Sequence, residues 1–258
     1  MSLVAVNDNT NGQRADYYQH PSGVLLLGDC LNAMRCLPKH SVNSIITDPP
    51  YGVNYRDRTG RSIANDVNLS WLQPAFAEMY RVLAPDSYAV CFYGFNRVDE
   101  FRSAWKGAGF RIAGPLAFVK EYASNKGKRS HTARCHENAV LLVKGNPPKS
   151  ATPPSDVYGF SYSGNKLHPT QKPLTTMRQL VRDFSKPGDT VLDPFCGSGT
   201  TAPAAIMEDR DFYAVELAPT YFGNARQRLA AVAVPTPKPI PKSQLGSRSN
   251  VTPLRRIA

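Results

Sequence analysis

Two short stretches hold the residue types that could do chemistry. The first is Thr47-Asp48-Pro49-Pro50-Tyr51-Gly52. It follows an apolar run, Val42 to Ile46, that reads as a short buried strand. Each proline fixes φ and removes a backbone donor, and the first holds the residue before it extended. Asp48 is therefore expected at a strand end, with carbonyls around Pro49 that lack the usual turn partners. Tyr51 adds a flat face beside them. A carboxylate, a free carbonyl and an aromatic plate on stiff backbone could grip a planar group bearing an amine. The alternative is a Pro-Pro turn that closes a strand, with a solvated Asp48. The tetrapeptide alone does not choose between them.

The second stretch is Val191-Leu192-Asp193-Pro194-Phe195-Cys196-Gly197-Ser198-Gly199-Thr200-Thr201. It reads as strand, acid, Gly-rich turn and helix. The glycines let backbone approach a ligand closely, and the helix N-terminus offers free N–H groups. The next strand ends at Glu216, 19 residues beyond Gly197, where an acid can accept hydrogen bonds from two ribose hydroxyls. Together these make a nucleoside-cofactor site. Gly197, Gly199 and Ala202 formally fit the dinucleotide fingerprint. Asp193 argues against a pyrophosphate, which it would repel, and favours a cofactor with a positive amine such as S-adenosylmethionine. No Lys follows the glycines, which excludes a P-loop.

The elements that must position these residues alternate along the chain. Strands are expected at Val24–Leu27, Val42–Ile46, Tyr88–Tyr93, Ile112–Val119, Ala139–Val143, Thr190–Leu192 and Phe212–Val215. Helices are expected over Leu31–Leu37, from an N-cap at Ser70 to a stop at Ala84-Pro85-Asp86, over Arg97–Lys106 with an end at Gly107 and Gly109, from the His168 segment to Phe184, from about Thr200, and over Tyr221–Val232. This alternation predicts an α/β fold with a mainly parallel sheet covered on both faces. Residues 1–21 read as a loose arm, 22–234 as one catalytic domain, and 235–258 as a basic, Pro-rich disordered tail. Loops at about 53–68, 120–136 and 145–166 are expected to be irregular inserts. The first two carry Arg56, Arg58, Arg61, Lys126, Lys128, Arg129 and Arg134.

The formal net charge is +11. Such an excess favours a polyanionic partner, because each cation that neutralises a phosphate releases counterions. The five cysteines form no CxxC pair and are odd in number, which suits reduced thiols rather than a disulfide framework. His131, Cys135 and His136 lack a second ligand pair, so no metal is assigned. No signal peptide and no membrane span are expected. The expected setting is cytoplasmic and nucleoid-associated.

The two stretches, in this order, resemble the amino-methyltransferases of DNA, in the permuted β group whose target motif precedes its cofactor motif. The likeness runs from about Leu25 to Leu229. His168-Pro169-Thr170-Gln171-Lys172-Pro173 resembles motif X, Val215-Glu216 motif II, His136-Glu137 motif VIII, and Gly28-Asp29 the segment that touches the cofactor's adenine. The resemblance implies a three-layer Rossmann-like fold with a seven-stranded sheet. It implies that Asp193, Phe195, Gly197 and Gly199 line the methionine end of S-adenosylmethionine, that Thr200 also binds this cofactor, that Thr170 and Lys172 help hold its carboxylate, that Glu216 binds the ribose, and that Asp29 lies near the adenine. Asp48 and the Pro49 carbonyl would accept hydrogen bonds from an exocyclic amine, with Pro50 stiffening the turn and Tyr51 stacking on the flipped base. Double-stranded DNA is the implied partner, with the basic loops on its phosphates. A homodimer and a cognate restriction endonuclease stay open, the latter not required for activity.

Asp at the first motif position resembles adenine-N6 enzymes more than cytosine-N4 enzymes, where Ser is commoner. Cytosine-N4 transfer is the alternative. A nicotinamide-dependent oxidoreductase would leave Asp48 to Tyr51 unexplained, and a non-catalytic nucleic-acid-binding protein would not need acids at both motifs. Two departures from the family stand out. Phe118 occupies a position where relatives often have Trp, and only 24 residues lie between Val143 and His168. The second implies a brief target-recognition segment or weak sequence preference.

Overall fold

The computed structural model describes residues 16–57, 60–123 and 131–233. Short apolar runs become nine strands: β1 (Tyr17–His20), β2 (Gly23–Leu27), β3 (Val42–Thr47), β4 (Leu83–Tyr93), β5 (Arg111–Lys120), β6 (His136–Lys144), β7 (Val157–Phe160), β8 (Thr190–Asp193) and β9 (Asp211–Glu216). They form one sheet in the order β1-β2-β9-β8-β3-β4-β6-β5-β7. The run from β2 to β4 is parallel throughout. β6 is antiparallel to both β4 and β5.

Parallel neighbours need crossover connections, and the helices that supply them cover both faces. On one face lie α1 (Cys30–Arg35), α2 (Leu72–Val82) and α3 (Val98–Ala108), packed through Met34, Phe76, Met79 and Trp105. On the other lie α4 (Leu174–Phe184), α5 (Thr201–Met207) and α6 (Pro219–Ala230), packed through Met177, Leu180, Ile206 and Leu229. Successive strand residues serve opposite layers. Ile45 belongs to the first core and Ile46 to the second. The expected three-layer Rossmann-like fold is therefore present. None of the described helices is long and apolar enough to cross a membrane.

The sheet differs from the expected seven strands by one addition at each edge. β1 lies inside the stretch read as an arm. Its sequence YYQH buries only His20, so no apolar alternation marks it, yet it pairs antiparallel with β2. β7 lies inside the stretch read as irregular. It pairs parallel with β5 and buries Tyr158 and Phe160. Residues 1–15 and the basic tail lie outside the described residues.

Three element boundaries also move. Trp71 rather than Ser70 holds the N-cap position of α2. Ala84-Pro85-Asp86 does not end that helix in a free turn. It forms a bulge in β4, where pairing jumps from Val42↔Leu83 to Ser44↔Tyr88. Gly107 stays inside α3, which stops at Gly109 in the left-handed region. The permuted order has one structural result that matters most for the site. β3 and β8, which carry the two motifs, are hydrogen-bonded neighbours through Ser44↔Val191 and Ile45↔Leu192.

Candidate active site

At the tip of β3 the Asp48 carboxylate is fixed from two sides. Tyr51 donates its hydroxyl to Oδ1 at 2.6 Å. Lys172 donates Nζ to Oδ2 at 2.5 Å. The same ammonium lies 3.2 Å from Glu137 Oε2, and Glu137 Oε1 lies 2.7 Å from Lys120 Nζ. Four charges of alternating sign are thus linked in a row, with the Asp48 and Glu137 side chains 20% and 27% exposed and those of Lys172 and Lys120 each 6% exposed.

Burial pushes the Asp48 pKa up, and Glu137 adds to the shift, while Lys172 opposes it. Burial opposes the charge on Lys172, but Asp48 and Glu137 together hold its pKa above the ordinary lysine value. Glu137 is also opposed by burial, and Lys172 and Lys120 keep it below the ordinary glutamate value. The Pro49 carbonyl accepts no hydrogen bond from the described residues.

The turn after the prolines is braced from behind. Asp66, 1% exposed, accepts hydrogen bonds from the backbone N–H groups of Gly52, Val53 and Tyr55. Arg97 donates to the Gly52 carbonyl at 3.0 Å. The Tyr51 ring meets Phe101 edge-on at 6.4 Å. Gly94 leaves room for it: a Cβ there would lie 2.9 Å from Tyr51 Cβ.

One strand over, Asp193 ends β8 at 4% exposure. Its Oδ1 accepts from Thr47 Oγ1 at 2.9 Å and from the Phe195 N–H, and its Oδ2 from Thr201 Oγ1 at 2.5 Å. Three of the roughly four lone-pair sites of a carboxylate are so occupied. Burial raises the Asp193 pKa to about 6. The Thr47 contact ties the residue before Asp48 directly to the Gly-rich segment.

At the tip of β9, Glu216 accepts from the Gly197 and Ala218 N–H groups, both at 2.8 Å. It is 8% exposed, and burial raises its pKa to about 7. The Gly28 N–H bonds to the Glu216 carbonyl, which brings Asp29 to the same edge. Asp29 caps α1 by accepting from Leu31 and Asn32. Phe195 packs against Trp71 with centroids 5.0 Å apart. Gly197, at φ 55°, has its missing Cβ position facing the His168 ring at 3.4 Å, and that ring meets Tyr221 edge-on at 4.3 Å. Burial, aided by Lys172 and Arg61, lowers the His168 pKa to about 4, so the ring is neutral. Thr170 joins this rim through its N–H to His168 Nδ1. Acids at three neighbouring strand tips and an open glycine turn fit a cationic nucleoside cofactor.

At three sequence-predicted positions the side chain is engaged by other groups of the chain. The Lys172 ammonium is drawn between Asp48 and Glu137 at the tip of β3. The Thr200 hydroxyl is turned to Arg228 Nη1 at 2.9 Å. Arg61 is not a projecting cation of a mobile loop. It pairs with Asp57 and donates to the Asn165 and Lys166 carbonyls. Arg56 and Arg134 are exposed. Arg58, Lys126, Lys128 and Arg129 lie outside the described residues. Sequence reasoning missed Lys120, Glu137, Thr47 and Asp66 as site groups. Only Glu137 had a signal, its place before a buried strand.

The chain is similar to known proteins. A family model for DNA methylase, of the N6/N4 methyltransferase type, matches residues 42–227. The protein named "Putative methylase YubD" of Escherichia coli (strain K12) is 49% identical over 205 residues, covering 80% of this chain and 89% of that one. The crystal structure of the M1.HpyAVI–SAM complex shares 25% identity at a TM-score of 0.63, over 80% of this chain and 98% of that chain. The PvuII DNA methyltransferase, described as cytosine-N4-specific, shares the fold at a TM-score of 0.67 with 19% identity, over 83% of this chain and 92% of that chain. The chain belongs to the N6/N4 family of S-adenosylmethionine-dependent DNA methyltransferases.

Proposed function

We propose that the protein methylates the exocyclic N6 of a flipped adenine in double-stranded DNA. The observation that carries this reading is the Asp48 carboxylate, held by Tyr51 and Lys172 beside a Pro49 carbonyl with no partner among the described residues. An aromatic exocyclic amine is a weak nucleophile because its lone pair is delocalised into the ring. Asp48 and the Pro49 carbonyl accept its two hydrogens and favour a tetrahedral nitrogen. S-adenosylmethionine, when bound, supplies a methyl group already activated by its sulfonium, so positioning matters more than a strong base. Asp48, whose charged form Lys172 favours, takes up the proton that the amine loses. Leaving the stack costs the base a few kcal/mol. The free face of Tyr51 offsets part of this, at ~1–3 kcal/mol for a stacked base.

Glu216 receives the ribose hydroxyls, Asp29 lies near the adenine ring of the cofactor, and Asp193, Phe195, Gly197 and Gly199 frame its methionine end with Thr170 on the rim. Arg56 and Arg134 contact phosphates, which position the duplex without reading it. The choice of adenine rests on Asp48 at the first motif position. The test is methylation of mixed-sequence DNA followed by modification-resolved sequencing. N6-methyladenine in a defined context is expected. N4-methylcytosine would overturn the choice of base, and unmodified DNA would overturn the activity.

A further inference from the structure

We infer that Lys172 reads the ring nitrogen beside the target amine. This rests on the reading of Asp48 as the amine's acceptor. A lysine ammonium has three hydrogens. One bonds Asp48 Oδ2 at 2.5 Å and a second faces Glu137 Oε2 at 3.2 Å. Among the described residues no nitrogen or oxygen takes the third. Phe92, with its ring centroid 4.7 Å away, backs the ammonium on its apolar side. Glu137 is itself anchored by Lys120 at 2.7 Å, so Lys172 is held in place from behind as well as from Asp48.

The group that fits such a pair is an amine next to a ring acceptor. Adenine has N1 beside its C6 amine, and cytosine has N3 beside its C4 amine. A flipped base is read on this edge. Asp48 accepting from the amine and Lys172 donating to the ring nitrogen would match it atom for atom. The match also bears on where the methyl goes. The ring nitrogen has an in-plane lone pair that is not delocalised, and in a free base it competes for alkylation. A charged donor occupies that lone pair and leaves the amine as the available nucleophile. Lys172 donates throughout and gives up no proton. Because the edge is common to both bases, this contact selects amine-bearing targets without separating adenine from cytosine.

The test uses the full chain and duplexes carrying one adenine, 1-deazaadenine or 7-deazaadenine at the methylated position. 1-Deazaadenine keeps the amine and removes only the ring acceptor. Single-turnover methylation by the wild-type protein should slow about tenfold or more on 1-deazaadenine, the loss of one hydrogen bond to a charged donor, and far less on 7-deazaadenine. Duplex affinities are then measured with S-adenosylhomocysteine bound, in wild type and in Lys172→Met combined with Glu137→Gln. The double variant removes one cation and one anion, so the net charge of the cluster is unchanged, and an inactive protein still reports binding. Wild type should lose affinity for 1-deazaadenine relative to the variant, and the comparison cancels the analogue's altered pairing. Equal wild-type rates on the two deaza bases, or the same preference in both proteins, would overturn the role of Lys172. Failure of wild type to methylate adenine at all would instead remove the reading of the base.

Discussion

Replacing Glu216 with Gln should uncouple cofactor affinity from pH. Burial holds the Glu216 pKa at about 7 against an ordinary value of 4.5. The anion is the form that accepts hydrogen bonds from ribose hydroxyls. At pH 8.5 nearly all of the protein carries it, and at pH 6.5 about a quarter does. Wild-type affinity for S-adenosylhomocysteine should therefore fall about fourfold between those values, and that of Glu216→Gln should be nearly flat. The cofactor-free protein should show the opposite trend in stability. A carboxyl whose folded pKa lies above its unfolded value contributes stability fully below about 4.5, and that contribution is lost as pH rises through about 7. The gap corresponds to about 3 kcal/mol. Calorimetric titrations at pH 6.5, 7.5 and 8.5, with denaturant melts of both proteins without ligand, measure the two trends. A flat wild-type titration, or a Glu216→Gln protein that keeps the fourfold dependence, would refute the placement of the ribose on Glu216.

Asp48→Asn should abolish methyl transfer while S-adenosylhomocysteine binding stays within about threefold, as read by single-turnover assay and titration. Retained turnover would show that the carboxylate is not the amine's acceptor. Gly199→Ala should cost at least about 2 kcal/mol in denaturant melts, because φ is 70° and the new methyl would lie 2.7 Å from Ala225 Cβ. Arg61→Ala should speed cofactor release in stopped-flow measurements more than it weakens DNA, since its partners are Asp57 and two carbonyls of the same chain. DNA affinity of the wild type should fall steeply between 50 and 200 mM salt by about tenfold or more, and a flat response would remove the phosphate contacts.

The sequence was most legible where chemistry and local geometry coincide. The segment from Val191 to Thr201 is strand, acid, turn and helix in one unbroken run, so its shape follows from its own residues. Asp48 to Tyr51 was legible for the same reason, because prolines restrict backbone whatever surrounds them. The partners of Lys172 were not legible because they come from elsewhere in the sheet. Glu137 starts β6 and Lys120 ends β5, and only the insertion of β6 between β4 and β5 brings both to the tip of β3. No spacing in the chain encodes that order. β1 and β7 were missed because an edge strand four residues long buries too few side chains to show a period. Arg61 reads as a nucleic-acid contact by charge alone, and its carbonyl partners, more than 100 residues away, are invisible to composition.

The pairing of β3 with β8 has a consequence for how the protein could be taken apart. The Asp48 motif and the Gly-rich motif meet across two rungs of backbone ladder, Ser44↔Val191 and Ile45↔Leu192, and are encoded on opposite sides of the Pro147–Pro154 segment. A break in that segment would yield two pieces, one with Asp48 and Tyr51 and the other with Lys172 and the Gly-rich turn, each with bare, hydrogen-bonding strand edges. Their reassembly and the appearance of catalysis would be the same event, so methylation marks left on DNA would record when and where the two pieces met.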